Sequence, residues 1–301
     1  MADNTPRHPP ELPPPWACAW GDDRYGLWAE LDVKTVVQRL RWIEPGEFWM
    51  GSPDAEPERF GDEDPRHRVR LTVGFWLADT ACTQALWQAV VGDTPSHFSG
   101  DLELPVEQVS FDDVHGFLGR LQADFAEGGV AQLPTESQWE YACRAGTETA
   151  FAFGATITPQ QVNYDGNYPY GDAAKGLYRE RTVPVNALPA NRWGLYQMLG
   201  NVWEWCDDKR RDYGRTAVAG GVVLDPAGQR GSGSAAGGAV RGGSWLDRAG
   251  HARSAYRSAN QRGYRYRNLG FRFALRSTSP GPAEPAGPEG LQVLGSGPEG
   301  R

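Results

Sequence analysis

No pair of cysteines in this chain has the short spacing of a redox or zinc motif. Cys18, Cys82, Cys143 and Cys206 stand far apart and form no CxxC. That excludes a zinc knuckle and argues against a disulfide framework, so four buried free thiols are expected. No apolar run approaches the roughly 20 residues that span a bilayer, and Met1 to Pro15 has no apolar signal-peptide core. The expected setting is cytoplasmic, without membrane contact. Positive charge is also short: 30 Lys and Arg face 38 Asp and Glu, a net charge of −8, which argues against general nucleic-acid binding. The five histidines show no HxxxH or HxxE spacing, and an iron triad of His67, His97 and His115 has no support in the sequence. Ser244 and His251 lack a nucleophile elbow, and Gly220-Gly221 and Gly242-Gly243 do not have the pattern of a phosphate loop. There is no internal repeat.

What is present is aromatic bulk on a turn-rich backbone. The 301 residues include 12 Trp and 38 Gly, enough chain for one large domain built on aromatic plates and tight turns. Residues 1–15 are a Pro-rich leader, and 277–301 are a tail rich in Pro, Gly, Ser and Glu; both are expected to be disordered because they cannot bury enough apolar surface to offset chain entropy. The domain is placed at 16–276, with a low-complexity loop from Ala227 to Gly238. Within it, 41–51 reads as strand, Pro-Gly turn and strand, and 69–77 as a further strand. Three helix starts carry caps: Thr83, Ser110 with Asp113, and Thr135 with Gln138. Asp112 and Asp113 complement the dipole of the second helix. After residue 146 the segments are short and bounded by turns. Together these make an α+β domain of low regular secondary structure. Trp139, Trp193, Trp203 and Trp205 read as core plates.

The segments FWMGS (48–52), PVEQVSFDD (105–113), LPTESQWEYACRAGT (133–147), NRWGLYQMLGNVWEWCDD (191–208), RGGSW (241–245) and NLGFR (268–272) resemble the formylglycine-generating enzyme, or sulfatase-modifying factor, family. They occur in the family order across about residues 36–276. The resemblance implies a C-type-lectin-related fold, shared by sulfatase activators, pyoverdine-maturation oxidases and variable proteins diversified by retroelements; fold alone does not choose among these.

The resemblance also implies three sites. The copper-binding cysteine pair of the activating oxidase falls on Asp247 and Ala252; neither supplies sulfur for a soft metal, so no copper and no catalytic residues are expected. A structural Ca²⁺ site falls on Gln197, Gly200, Val202 and Glu204, and a second begins at Asn163 and Tyr164, though its downstream Asp falls on Leu177. The substrate groove falls on 241–276, which holds nine Arg, three Tyr, two Asn and one His. Arg253, Arg257 and Arg272 read there as structural ties to carbonyls and carboxylates. The residues between them, Trp245, Leu246, Asp247, His251, Tyr256, Asn260, Tyr264, Tyr266 and Asn268, have the mixed aromatic and polar character of a binding surface. Segment 245–272 is also similar to retroelement-diversified variable proteins. The expected function is recognition of a protein or peptide ligand. The alternative is a non-copper oxidoreductase acting on a peptide or siderophore-like substrate.

Overall fold

A computed structural model describes residues 7–124, 127–209, 212–217, 220–227 and 237–277. A six-stranded sheet has the order β1-β2-β3-β6-β13-β7, from β1 (Ala19–Asp23), β2 (Gly26–Val33), β3 (Val36–Ile43), β6 (Phe75–Ala78), β13 (Ala274–Ser277) and β7 (Gly129–Gln132). A four-stranded sheet has the order β11-β10-β8-β12, from β11 (Arg257–Asn260), β10 (Gly238–Arg241), β8 (Trp203–Trp205) and β12 (Leu269–Gly270). A smaller sheet joins β4 (Gly46–Met50), β5 (His67–Leu71) and β9 (Val222–Leu224). The helices are α1 (Gln84–Val91), α2 (Phe111–Asp124), α3 (Glu136–Arg144) and the one-turn α4 (Tyr213–Thr216). The α+β expectation holds.

The caps act as their spacing predicts. Thr83 Oγ1 accepts from Leu86 N at 3.1 Å, and α1 stops at Gly92 in the left-handed region. Ser110 and Asp113 exchange backbone-to-side-chain bonds of 2.9 and 3.1 Å, as do Thr135 and Gln138 at 2.9 and 3.2 Å. Each box satisfies donors that the first helical turn leaves open.

One strand reading changes. Residues 69–77 are not one strand: β5 and β6 lie in different sheets, separated at Thr72–Gly74. The chain there runs so close to β3 that a Cβ on Gly74 would meet the Trp42 ring at 2.3 Å and Ile43 O at 2.8 Å. The strand, turn and strand read at 41–51 are present, and the two strands join different sheets: β3 binds β2 and β6, whereas β4 binds β5.

The core forms two large clusters. One packs the six-stranded sheet against α1 and α2, with Trp87 stacked on Phe117 at 5.4 Å and Trp76 between Trp16 and Trp42. The other surrounds Trp139 on α3 with Phe151, Tyr164 and Met198. Trp139, Trp203 and Trp205 are buried and Trp193 packs against the second cluster, as expected for core plates. Burying such a ring contributes about 4–6 kcal/mol of transfer free energy.

Residues 7–15, expected as part of a disordered leader, lie on the domain instead. Pro9 and Pro14 are buried, and Arg7 O accepts from Trp42 Nε1 at 2.7 Å. Ser277 ends β13, and 278–301 lie outside the described residues, as do 1–6 and 228–236; Gly238, placed in the low-complexity loop, opens β10. The four cysteines are free as expected, but Cys18 is exposed because it precedes an edge strand. Burial pushes the Cys143 thiol up to about 12. Among the described residues no helix is long and apolar enough to cross a membrane.

Candidate ligand-binding surface

The segment 241–276 is held by buried charge. Arg241, Arg253, Arg257 and Arg272 are all buried, and each meets a buried carboxylate. Arg253 spans Glu56 (2.7 Å) and Glu63 (2.6 and 2.7 Å), and Arg257 makes a two-pronged pair with Glu136 (both 2.7 Å). Arg272 clamps both oxygens of Glu204 at 2.7 and 2.8 Å. Arg241 joins Glu140, which Arg144 also holds. Glu136, Glu140 and Arg144 recur every four residues along α3, so one helix face meets the adjacent Arg241 and Arg257 of β10 and β11. Burial would raise the Glu140 carboxyl, but Arg241 and Arg144 hold it below its ordinary value. The forks work as the sequence predicts for Arg253, Arg257 and Arg272.

RGGSW turns on Gly242 and Gly243, both left-handed; a Cβ on either would strike Met198 O or His251 O at 2.8 Å. Beyond the turn, the Asp247 carboxylate accepts from Trp203 Nε1 (2.9 Å), from the Ser244 hydroxyl and from His251 Nδ1 (3.1 Å). Asp247 thus stands between Ser244 and His251, so the imidazole cannot take the serine proton as a catalytic triad requires. Ala252 is fully buried in the second core cluster.

The nine expected ligand residues do not share one environment. Trp245 is only 2 % exposed: Phe98 meets it edge-on at 5.4 Å, Tyr178 stacks on it at 6.3 Å, and its Nε1 donates to Arg267 O. Asn268 is also buried, donating to Ser244 Oγ at 2.8 Å. These two support the surface from beneath rather than form it, because neighbours distant in sequence cover them. Leu246, Asp247, His251, Tyr256 and Asn260 are half-buried. Tyr256 stacks on His251 at 4.6 Å, with Phe60 edge-on at 5.1 Å and Trp203 at 5.8 Å. Tyr264 and Tyr266 stand out, 44 % and 39 % exposed and stacked on each other at 6.1 Å.

The loop carrying the two tyrosines is pinned at both sides. Arg262 binds Asp112 (2.7 and 3.1 Å), and Arg265 binds both oxygens of Asp113 at 2.7 Å. Asp112 and Asp113 therefore do more than complement the α2 dipole. Arg265 and Ser110 hold the Asp113 carboxyl below its usual value although burial works the other way. Sequence reasoning missed Phe60, Phe98, Tyr178 and Arg181; nothing local marks them, since each reaches the surface through a long-range contact.

The residues assigned to calcium divide in the same way. Glu204 has both oxygens on Arg272, with Trp139 Nε1 also donating at 2.7 Å, so its charge is already neutralised. Val202 sits in a small apolar cluster and Tyr164 in the core. Gln197 Oε1 and Asn163 Oδ1, by contrast, are buried amide oxygens without a hydrogen-bond partner among the described residues. Their amide nitrogens are committed, Gln197 to Pro184 O (2.7 Å), and Asn163 to Asn201 Oδ1 and Arg181 O (both 3.0 Å). Asn163 forms a parallel β-bridge with Gly200, and Asn163 O accepts from Asn201 N at 2.9 Å. Amide oxygens of this kind are donors that a hard cation accepts, whereas the Glu204 carboxylate is already taken up by Arg272. Leu177 is exposed and offers no side-chain oxygen. Among the described residues, no group of three or more His, Cys, Asp or Glu could hold a metal ion.

Short sheets, few helices and an arginine-clamped C-terminal segment define a domain of the formylglycine-generating-enzyme fold class. The profile of the sulfatase-modifying factor enzyme 1-like domain matches residues 29–277, and the chain belongs to that family. It is 31 % identical over 234 residues to the formylglycine-generating enzyme of Streptomyces coelicolor, covering 73 % of this chain and 70 % of that one. It is 33 % identical over 208 residues to the inactive C-alpha-formylglycine-generating enzyme 2 of Mus musculus, covering 65 % of this chain and 57 % of that one. Among solved structures it is similar to Treponema denticola variable protein 1, with a TM-score of 0.67, 26 % identity, and coverage of 83 % of this chain and 99 % of the other. PvdO from Pseudomonas aeruginosa shares the fold, with a TM-score of 0.65, 22 % identity, and coverage of 86 % and 98 %.

Proposed function

We propose that this chain is a ligand-binding member of its family that lacks the copper cysteine pair and recognises a protein or peptide through the surface of residues 245–268. The exposed Tyr264–Tyr266 stack carries the reading: two large rings stand in solvent on a loop fixed by two Arg–Asp pairs. Rigid tyrosines give contact area at low entropic cost, which suits recognition more than stability. The likeness to a variable protein supports the same reading; its finer form, diversification of this segment by a retroelement, belongs to the proposal. The oxidoreductase alternative draws on the likeness to PvdO, which at 22 % identity concerns the fold alone.

Tyr264→Ala with Tyr266→Ala should leave the melting temperature within a degree or two of the parent, since neither ring is buried. The parent should also leave a cysteine-bearing sulfatase peptide unconverted in the presence of copper. A large stability loss would make the rings core residues, and aldehyde formation would restore the oxidase reading.

Calcium enters the proposal as a structural ion, held by Gln197 Oε1 and Asn163 Oδ1 with the carbonyls of Gly200, Val202 and Tyr164. A chelator should then lower the melting temperature by a few degrees, and Gln197→Ala should remove that response. An identical melting curve with and without chelator refutes the ion.

A further inference from the structure

A cavity of about 570 Å³ opens between α1 and α2, beside the loop that carries the two exposed tyrosines. Arg265, which stands between Tyr264 and Tyr266 in the chain, forms part of its wall. Gln108 lines it too. Gln108 N donates to Tyr266 O at 3.0 Å, and Gln108 Nε2 donates to Pro95 O, on the same wall, at 3.3 Å. The cavity and the tyrosine stack are thus joined through the backbone. Trp87 and Phe117, stacked on each other at 5.4 Å, supply the apolar floor.

Two wall positions go against local preference. Gly116 stands in the middle of α2, where glycine weakens a helix relative to alanine. Packing does not demand it: a Cβ built there would meet no atom within 4 Å, so a side chain at 116 would take up cavity space. Gln108 holds a left-handed φ of 61°, uncommon for any residue but glycine. Charge on the lining cancels. Arg262 neutralises Asp112 and Arg265 neutralises Asp113, which leaves Asp93 and Arg120, one of each sign. Asp93 accepts from Trp87 Nε1 at 2.7 Å, and Arg120 donates to Val91 O at 3.0 Å. With no net charge in the wall, a charged occupant would lose its hydration without an attraction to offset the loss. A flat ring with a polar tip fits better. Its faces lie against the half-buried Val91 and Pro95 and the bare helix surface at Gly116, and its hydroxyl or N–H donates to Asp93.

We propose that this cavity is an anchoring pocket of the ligand-binding surface, and that it receives a tyrosine or tryptophan side chain of the protein or peptide that Tyr264 and Tyr266 contact. This rests on the ligand-binding reading and adds to it a pocket outside residues 245–268.

The test is selection of a displayed random-peptide library on the full chain, followed by affinity measurements with the enriched peptides made synthetically. Enriched peptides should carry Tyr or Trp, and replacing that residue by Ala should weaken binding on the order of tenfold. Gly116→Leu should weaken it by a similar factor while melting at or above the parent, since leucine favours a helix and meets no clash at Cβ. If leucine lowers the melting temperature, Gly116→Ala, which adds a single methyl, gives the same reading at smaller amplitude. Gly119→Leu is the control: it is equally open on the same helix but lines a different cavity, so binding should be retained. Peptides that require Tyr264 and Tyr266 but lack both aromatics, or are indifferent to the Gly116 changes, overturn the pocket and leave the binding surface standing. Equal losses in the Gly116 and Gly119 variants also overturn it, as a general effect on α2. If no peptide is enriched at all, the surface reading falls, and this inference with it.

Discussion

Arg253→Met is expected to lower the unfolding free energy by about 3–5 kcal/mol, the cost of removing one partner from a buried ion pair. Met fills much of the same volume, so the loss is one of charge rather than of packing. The reason lies in what remains. Arg253 is the cation shared by the buried Glu56 and Glu63, and it also donates to Glu58 O and Gly250 O. Burial already raises the Glu56 carboxyl despite that guanidinium. Without it, two carboxylates face each other in the interior, and at least one must take up a proton. The variant should accordingly gain more stability than the parent does as pH falls toward 5. Urea titration at two pH values measures both effects. A loss under about 1 kcal/mol at pH 7 would mean that the two acids find another partner.

The second large effect concerns Glu107. It is fully buried; one oxygen accepts from Phe98 N at 2.8 Å and the other has no hydrogen-bond partner among the described residues. Burial raises its carboxyl to about 7, despite the backbone amides of Phe98 and His97 and the charge of Arg267. A folded value above the unfolded one means that the native state holds the proton more tightly. Its contribution is complete below the unfolded value and is lost as pH rises through about 7. Asp79, raised to about 6 by burial, behaves in the same sense over a lower window. Glu107→Gln imitates the protonated form. It should match the parent near pH 4 and exceed it at pH 8 by about 1–3 kcal/mol. Parallel pH–stability curves for the two proteins would show that Glu107 does not titrate in this range.

How much of this was legible in the sequence follows from the range of the forces involved. The caps at Thr83, Ser110 and Thr135 were readable because each joins a side chain to a backbone group three residues away. The arginine frame was readable as a set of ties, but its partners were not, since Glu56 and Glu63 lie nearly two hundred residues before Arg253. Sheet order was out of reach for the same reason: β13 completes the large sheet between β6 and β7, elements far earlier in the chain. Composition found the surface but could not sort its depth. Trp245 and Tyr264 look equally suited to binding, and only the cover supplied by Phe98 and Tyr178 sends the first inward. The calcium residues sorted differently from the resemblance because Arg272 reaches Glu204 from β12's far end, a pairing no local pattern announces.

The pinned loop has a consequence for engineering. Its anchors, Arg262 with Asp112 and Arg265 with Asp113, alternate along the chain with the residues that face outward. On the ligand-binding proposal, specificity and foldability are thereby written in different letters of the same short stretch. A combinatorial library that varies positions 264 and 266 together with 246, 251 and 260, while the guanidinium–carboxylate pairs stay constant, would sample new specificities at little expense in yield, much as exchangeable tips are fitted to one handle.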